Sequence, residues 1–262
     1  MELSRRSFLL TSSLGMTALA AISTSGTQES ATAAISPSFP SHDPMLAKEI
    51  VGVSHRDVTR VRELLSGRPA LAKAVWDWGY GDWETALGAA AHVGNKEIAD
   101  VLLAAGAPPT IFSAAMLGQL AVVQAMIAAQ PGLQRVKGPH GIPLLAHAKA
   151  GAASEVVKYL ESLGDADARY TNEPLSDADR AAILGTYVYG AGPTEKLKVL
   201  PNPRTGLSMQ REGASEQNLF HLGGRLFHTP GNEHVRIRFA AGEPAATVRI
   251  EDGVLKLVAT RL

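Results

Sequence analysis

The segment TALGAAAHVGNKEIADVLLAAGA, residues 85–107, sets the architecture of the first half of the chain. Two stretches with apolar residues at helical spacing are separated by Gly94-Asn95, and Gly106 follows the second stretch. Glycine adopts a left-handed backbone without a steric penalty, so both glycines predict helix ends. The segment therefore predicts a pair of helices that pack closely through alanine.

The same pattern occurs at other places in the chain. Gly118 and Gly151 each lie between two apolar helical stretches, as Gly94 does, and all three are expected to need a positive φ. A degenerate unit precedes them, with apolar residues at Val51, Val53, Val58, Val61, Leu64 and Leu65. One helix pair cannot bury its apolar face alone, so three or four pairs are expected to stack.

These units resemble the ankyrin repeat family. Ala86 and Gly88 replace the proline and histidine usual in that family, and the step from Gly94 to Gly118 is shorter than the family's repeat of about 33 residues. The resemblance implies an all-α ankyrin repeat solenoid over residues 45–166, which would be a scaffold for a protein partner and not a catalyst. A general alanine-rich helical bundle is the alternative.

All three tryptophans lie in residues 76–83, WDWGYGDW, between the first and second units. The glycines and aspartates favour a turn. The predicted partner-binding residues are Trp76, Trp78, Tyr80, Trp83 and His140. Tryptophan and tyrosine carry much of the binding energy at interfaces, and the ligand is a protein or a carbohydrate-like molecule. Alternatively, the aromatic residues fill a small core against the second domain, and His140 is a solvated turn residue.

After residue 165 the apolar spacing changes from helical to alternating. Ser176 predicts the N-cap of a short helix. The eight predicted strands are Thr186–Tyr189, Leu197–Leu200, Leu207–Arg211, Leu219–Leu222, Arg225–Thr229, Val235–Phe239, Ala246–Glu251 and Val254–Thr260. Gly223-Gly224 and Asp252-Gly253 are typical hairpin turns. The fold class is therefore multidomain α + β, with a small antiparallel barrel or sandwich of about eight strands after the helices.

The segments 184–187, 197–199 and 206–209, together with Val248 and Ile250, resemble the lipocalin-like barrel that accompanies β-lactamase-like serine hydrolases as an accessory domain. The resemblance implies a barrel over residues 175–262, joined through a linker at 167–174. It implies a fold and an assembly role without an activity, because the hydrolase domain is missing.

The first residues resemble the twin-arginine export signal, through Arg5, Arg6, Phe8 and Leu9 and the short apolar stretch 9–22. A chance Arg-Arg pair is the alternative. The resemblance implies a signal peptide over residues 1–33, cleaved at Ala31-Thr32-Ala33 or at residues 18–20. It also implies folding in the cytoplasm before export to the periplasm or beyond. A proline-rich linker is predicted at 34–44.

The composition excludes several classes of protein. The 262 residues contain 25 basic and 25 acidic side chains and no cysteine. Disulfides, thiol catalysis and thiolate zinc sites are therefore excluded, and nothing in the net charge attracts nucleic acid or an anionic membrane. Phosphate-binding glycine loops and the nucleophile motif G-x-S-x-G are missing from the sequence.

The weak metal candidates are in the predicted barrel. His221 and His228 lie on adjacent strands and are expected to be near each other, with His234, Glu216 and Glu233 in the neighbourhood. No metal-binding spacing supports a site there. The sequence therefore predicts no metal, no cofactor and no catalytic residue.

The predicted function is an exported, non-catalytic interaction protein with an unknown protein partner, no nucleic acid and no stable membrane anchor after signal cleavage. The first alternative is a small-ligand carrier that uses the barrel, which requires a cavity of at least about 300 Å³. Side chains are expected to fill so compact a barrel. The second alternative is a hydrolase-type enzyme with a site between the domains.

Overall fold

A computed structural model describes residues 37–262 of the chain. The predicted signal peptide, with Arg5, Arg6, Phe8 and Leu9, and the start of the predicted linker lie outside the described residues. Between residues 37 and 262, no helix is both long and apolar enough to cross a membrane.

In the described part of the chain, eight α-helices form four pairs before residue 165, and three short 3-10 helices lie in the connections. The α-helices are α1 (Pro44–Val53) and α2 (Val58–Gly67), α3 (Ala86–Val93) and α4 (Lys96–Ala104), α5 (Ile111–Met116) and α6 (Leu120–Ala129), and α7 (Leu144–Ala150) and α8 (Ser154–Leu163). The first helices of the pairs pack in chain order, α1 on α3, α3 on α5 and α5 on α7. The predicted stacking of helix pairs is confirmed.

Alanine allows this close packing. Ala89, Ala90 and Ala91 of α3 are fully buried between neighbouring helices. Side-chain caps start the helices: Thr85 accepts a hydrogen bond from the backbone of Gly88, and Asn95 accepts one from Ile98. We call residues 38–166 the helical part.

The predicted positive φ is confirmed at Gly94 (75°) and Gly118 (77°) but is wrong at Gly151, whose φ is −80°. The next residue, Ala152, has the left-handed conformation instead, with φ 50°. Gly151 is needed for a different reason. A Cβ atom there would lie 1.9 Å from the carbonyl oxygen of Met116, so only glycine permits the approach of α5 and α7.

A two-stranded hairpin connects the first and second helix pairs. Its strands are β1 (Val75–Asp77) and β2 (Trp83–Thr85), and the connecting residues 78–82 form the predicted turn. Gly79, Tyr80 and Gly81 all have positive φ. We call residues 78–82 the hairpin loop.

The C-terminal part is a short helix followed by a closed antiparallel barrel. Helix α9 (Asp177–Ile183) begins at the predicted cap, where the Ser176 hydroxyl accepts from the Asp179 amide at 3.0 Å. The strands are β3 (Gly185–Val188), β4 (Lys196–Asn202), β5 (Gly206–Arg211), β6 (Glu216–His221), β7 (Leu226–Thr229), β8 (Asn232–Phe239), β9 (Thr247–Asp252) and β10 (Leu255–Arg261). β10 pairs with β3 and closes the barrel. All eight predicted strands are confirmed.

The hairpin loop joins the helical part to the barrel. The Gln217 side chain on β6 donates to the Trp78 carbonyl at 2.8 Å, and Tyr80 packs against the barrel core. Apolar residues that alternate along the strands fill most of the interior, among them Leu207, Leu219 and Ile237. A cavity of about 370 Å³ nevertheless remains at the mouth beneath the loop. The expectation of a completely filled barrel is therefore wrong at this mouth.

Candidate metal centre

Four side chains from four separate segments converge beside the hairpin. His55 follows α1, Glu84 lies on β2, His92 is in the last turn of α3, and His140 precedes α7. One ligand atom from each of them lies within 4.8 Å of the others. Three imidazoles and one carboxylate are a ligand set that suits zinc and related divalent metals.

The distances between these ligand atoms fit one bound ion. Glu84 Oε1 lies 3.0 Å from His92 Nε2, and Glu84 Oε2 lies 3.6 Å from His55 Nε2 and 3.4 Å from His140 Nε2. The His55 and His92 Nε2 atoms are 3.0 Å apart. Metal–ligand bonds of about 2.0–2.1 Å in a tetrahedron place neighbouring ligand atoms about 3.3 Å apart. The cluster is thus close to the required size.

The fully buried Glu84 carboxylate lies at the centre of the cluster. The Trp78 indole donates a hydrogen bond to Glu84 Oε2 at 2.7 Å. Burial raises the pKa of Glu84, but the neighbouring His140 and His92 outweigh burial and lower this pKa to about 2. The carboxylate is therefore ionised, as a metal ligand must be.

Two neighbours of His92 Nε2 compete for its hydrogen. His92 Nε2 carries at most one hydrogen. Two atoms, Glu84 Oε1 and His55 Nε2, both lie 3.0 Å from it and could accept that hydrogen bond. Among residues 37–262, Glu84 Oε1 has no hydrogen bond of good geometry, although His92 Nε2 lies 3.0 Å from it. A cation equidistant from these atoms would satisfy all of them at once.

Hydrogen bonds behind the ligands orient two of the imidazoles. His140 Nδ1 lies 2.7 Å from Asp82 Oδ2, and the His140 amide donates to Asp82 Oδ1 at 2.8 Å. His55 Nδ1 lies 2.9 Å from the Gly52 carbonyl oxygen. Both contacts leave Nε2 directed at the cluster, which is how outer-shell groups orient histidine ligands in metal proteins. His140 is held there with a left-handed backbone, φ 59°.

Two buried carboxylates, those of Asp82 and Glu84, set the charge state of the neighbouring His140. Burial lowers the pKa of His140, but hydrogen bonds with Asp82 and Glu84 outweigh it and raise the pKa to about 10. Burial is the main reason why the pKa of His55 is below its ordinary value. In the metal-free protein, therefore, a proton on His140 supplies the positive charge that a metal ion would supply in its place.

A fifth histidine lies behind the cluster. His147 on α7 is fully buried and its ring is perpendicular to that of His92, with centroids 6.5 Å apart. Nδ1 lies 3.0 Å from the Pro143 carbonyl oxygen, whereas Nε2 has no hydrogen-bond partner within the described residues. Burial lowers its pKa to about 4, so this ring is neutral.

The cluster faces a cleft of about 910 Å³ between the helical part and the barrel. The side chains of His55 and His140 are 26% and 29% exposed, and that of His92 is 11% exposed. Lining residues on the barrel side include Phe220, Asn218 and Arg204. A metal bound by the cluster would thus be reachable by small molecules.

The predicted aromatic residues are distributed over different environments. Trp76 is half-buried against the helical core, with the Lys48 ammonium 5.7 Å from its ring centroid. The Trp78 indole donates a hydrogen bond to Glu84, and Tyr80 packs on the barrel core. Trp83 has a relative exposure of 61% and is the one that is largely solvent-accessible. Packing between the two parts therefore accounts for Trp78 and Tyr80, and partner binding stays a prediction.

His221 and His228 lie on adjacent strands, as expected, but not on the same face of the sheet. The register of β6 and β7 pairs Phe220 with His228 and His221 with Phe227. Because side chains alternate across a strand, the two histidines point to opposite faces of the sheet. The ring nitrogens of His221 lie 2.9 and 2.7 Å from the carbonyl oxygens of Glu173 and Gly224.

Sequence reasoning found His140 but assigned it to a partner surface, and it missed His55, Glu84 and His92 as a group. Glu84 lies on β2, directly before α3, and His140 lies in the 3-10 turn Pro139–Gly141 before α7. Comparison with known proteins finds no matching family model and no significant match to a curated protein.

Proposed function

We propose that this protein binds one divalent transition-metal ion through His55, Glu84, His92 and His140. Zinc is the first candidate metal. The convergence of their four ligand atoms within 4.8 Å is the observation that carries the proposal. The hydrogen bonds to Asp82 and to the Gly52 carbonyl, which orient two of the imidazoles, support it.

The position of the cluster at the cleft favours a functional site over a purely structural one. Structural zinc sites are closed, whereas functional sites leave room for water or a small ligand. Here the imidazole edges face the cleft, and the barrel supplies the opposite wall. Four protein ligands complete a tetrahedron, so a divalent metal here would activate water or polarise a ligand by expanding to five-coordination. Hydrolase-type activity at a site between the two parts is the enzyme hypothesis that this location favours.

Metal analysis of the full chain tests the proposal. After reconstitution with zinc and removal of excess metal, the wild type is expected to retain about one equivalent. His92→Gln is expected to retain less than about 0.1 equivalent, because one of four ligands is lost. The matched control is His221→Gln, which changes a barrel histidine and should leave the zinc content unchanged. A wild type with less than about 0.1 equivalent, or equal losses in both variants, would contradict the proposal.

We also propose that the four helix pairs are a short ankyrin-type scaffold for a protein partner, with the barrel as an accessory surface. The stacking order of the pairs and the exposed Trp83 at their edge support this second function. Recovery of a partner from periplasmic extract should fall when Trp83 is changed to alanine. Unchanged recovery would remove Trp83 from the predicted partner-binding surface.

The mouth of the barrel supports a third function, transport of a small apolar ligand in a lipocalin-like barrel. Its cavity of about 370 Å³ exceeds the volume of about 300 Å³ that a ligand site needs, and Leu197, Met209, Ile250 and Leu257 line it. Filling it with Met209→Trp should abolish binding of an apolar fluorescent probe. Probe binding that survives this change would contradict the carrier function.

Location remains part of the proposal. The twin-arginine-like leader supports export of the folded protein to the periplasm or beyond, so the helical part would assemble its ligand set before export. Changing Arg5 and Arg6 together to lysine should retain the full-length chain in the cytoplasm, measured by fractionation. Export of that variant at the wild-type level would contradict the assignment.

A further inference from the structure

The outer face of the barrel carries a cluster of arginines that is separate from the metal centre. Val235, Ile237 and Phe239 of β8 are buried in the barrel, as are Val248 and Ile250 of β9. Because side chains alternate along a strand, the residues that alternate with these buried ones point outward. Those residues are Arg236, Arg238, Arg249 and Glu251.

The strand register places two of these positive charges directly opposite each other. Arg238 pairs with Arg249, whereas Arg236 pairs with Glu251. Like charges on directly opposed residues are destabilising, and such pairs are usually avoided. On their other sides Arg238 adjoins Leu226 and Arg249 adjoins Val258, so no acid lies directly across from either arginine.

The single acid of this cluster does not neutralise it. Glu251 faces both Arg236 and Lys256 across the sheet, and its contact with the Arg249 guanidinium is 4.0 Å long. Within the described residues, Arg238 has no acidic partner within 4.0 Å, and the Arg236 guanidinium donates to the carbonyls of Glu233 and Val235. Leu226, the three arginines and Glu251 line a depression of about 180 Å³, and these charges sum to +2.

We propose that this depression binds a phosphate group, held mainly by Arg238 and Arg249. The planar guanidinium matches the oxygens of phosphate with two parallel hydrogen bonds, and two opposed arginines can hold one tetrahedral anion from both sides. A bound phosphate removes the repulsion across the strand pair. The phosphate is either free or the headgroup of a phospholipid, and in the second case the exposed Val258 beside the site would contact the lipid.

The experiment compares the two sources with the full-length chain. One arm titrates inorganic phosphate and follows the arginine side-chain signals by NMR; the other measures co-sedimentation with phosphatidylglycerol vesicles against neutral phosphatidylcholine vesicles. Binding is expected in at least one arm and should weaken as ionic strength rises. Arg238→Gln should weaken it at least about tenfold, because a charge-assisted bidentate contact is lost.

Arg68→Gln is the matched control, since Arg68 is an exposed arginine of the helical part and the change in charge is identical. It should alter binding less than about twofold. Binding of phosphate alone would identify a soluble ligand, and binding of anionic vesicles alone would identify a lipid headgroup. Failure to bind in both arms, or equal weakening by Arg68→Gln and Arg238→Gln, would overturn the proposal. Both substituted residues are exposed, and circular dichroism checks that the variants fold.

Discussion

The histidines of the helical part and those of the barrel differ in what their ring nitrogens face. In the helical part, the Nε2 atoms of His55, His92 and His140 surround one buried carboxylate. In the barrel, the His221 nitrogens face backbone carbonyls, and His228 is stacked on Phe220. His221 and His228 are close in sequence but lie on opposite faces of the sheet. His55, His92 and His140 are distant in sequence and are brought together by the stacking of the helix pairs. Proximity along the chain therefore did not indicate which histidines of this protein lie together.

The largest expected effect concerns the carboxylate at the centre of the helical set. In the metal-free protein, Glu84→Ala should lower the free energy of unfolding by about 3–5 kcal/mol, because charged His140 and the Trp78 indole lose a buried partner. Urea denaturation measures the change. Glu97→Ala is the control, since Glu97 forms an exposed ion pair with Arg62 and should cost less than about 1 kcal/mol. Equal effects would show that Glu84 is not a central partner.

The next effect is on the dependence of stability on pH. The pKa of His147 is about 4 in the folded protein, below its ordinary value of 6.5, so the unfolded chain binds more protons between these two values. The contribution of His147 to stability is complete above about pH 6.5 and is lost as the pH falls toward about 4, a change of roughly 3 kcal/mol.

Denaturation in the presence of a chelator, for wild type and His147→Leu, measures this contribution. The variant should lose less stability than the wild type between pH 6.5 and 4, because leucine does not titrate. Identical slopes for the two proteins would show that His147 does not supply this part of the acid sensitivity.

A smaller effect is expected from the carboxylate behind His140. Asp82→Asn should weaken zinc binding by about 10–100-fold, because outer-shell partners fix the orientation and basicity of a histidine ligand. A competitive chelator titration measures the affinity. Asp77→Asn, in the same hairpin but bonded to the Gly79 amide, is the control and should retain the wild-type affinity. If Asp82→Asn binds zinc with the wild-type affinity, the proposed outer-shell role of Asp82 is contradicted.

The smallest effect is expected at the exposed tryptophan. Trp83→Ala should change the free energy of unfolding by no more than about 0.5 kcal/mol, because most of this side chain is in solvent. Trp78→Ala is the contrasting variant and should be clearly destabilising, since it removes the hydrogen bond to Glu84. Thermal unfolding measures both variants. A large loss in Trp83→Ala would show that this residue is structural and unsuited to a partner surface.

Much of the fold was predictable because its signals are local. Each barrel strand shows period-two alternation, and turns such as Gly223-Gly224 limit the strands, so all eight were located to within a few residues. Ser176 marked the start of α9 through a side-chain cap that acts within three residues. Gly151 was misjudged because its constraint comes from α5, a neighbour in space that its own segment does not reveal.

The cluster of His55, Glu84, His92 and His140 was not predictable in the same way. Each of its histidines is unremarkable in its own segment, and His92 resembles any polar residue at the end of a helix. Only the packing of α3 against both α1 and α7 sets the His55, His92 and His140 imidazoles around Glu84. Period and turn chemistry therefore determined the elements of this protein, since they depend on residues a few positions apart. Tertiary structure alone decided the site, because distances between side chains from different elements exist only once those elements have packed.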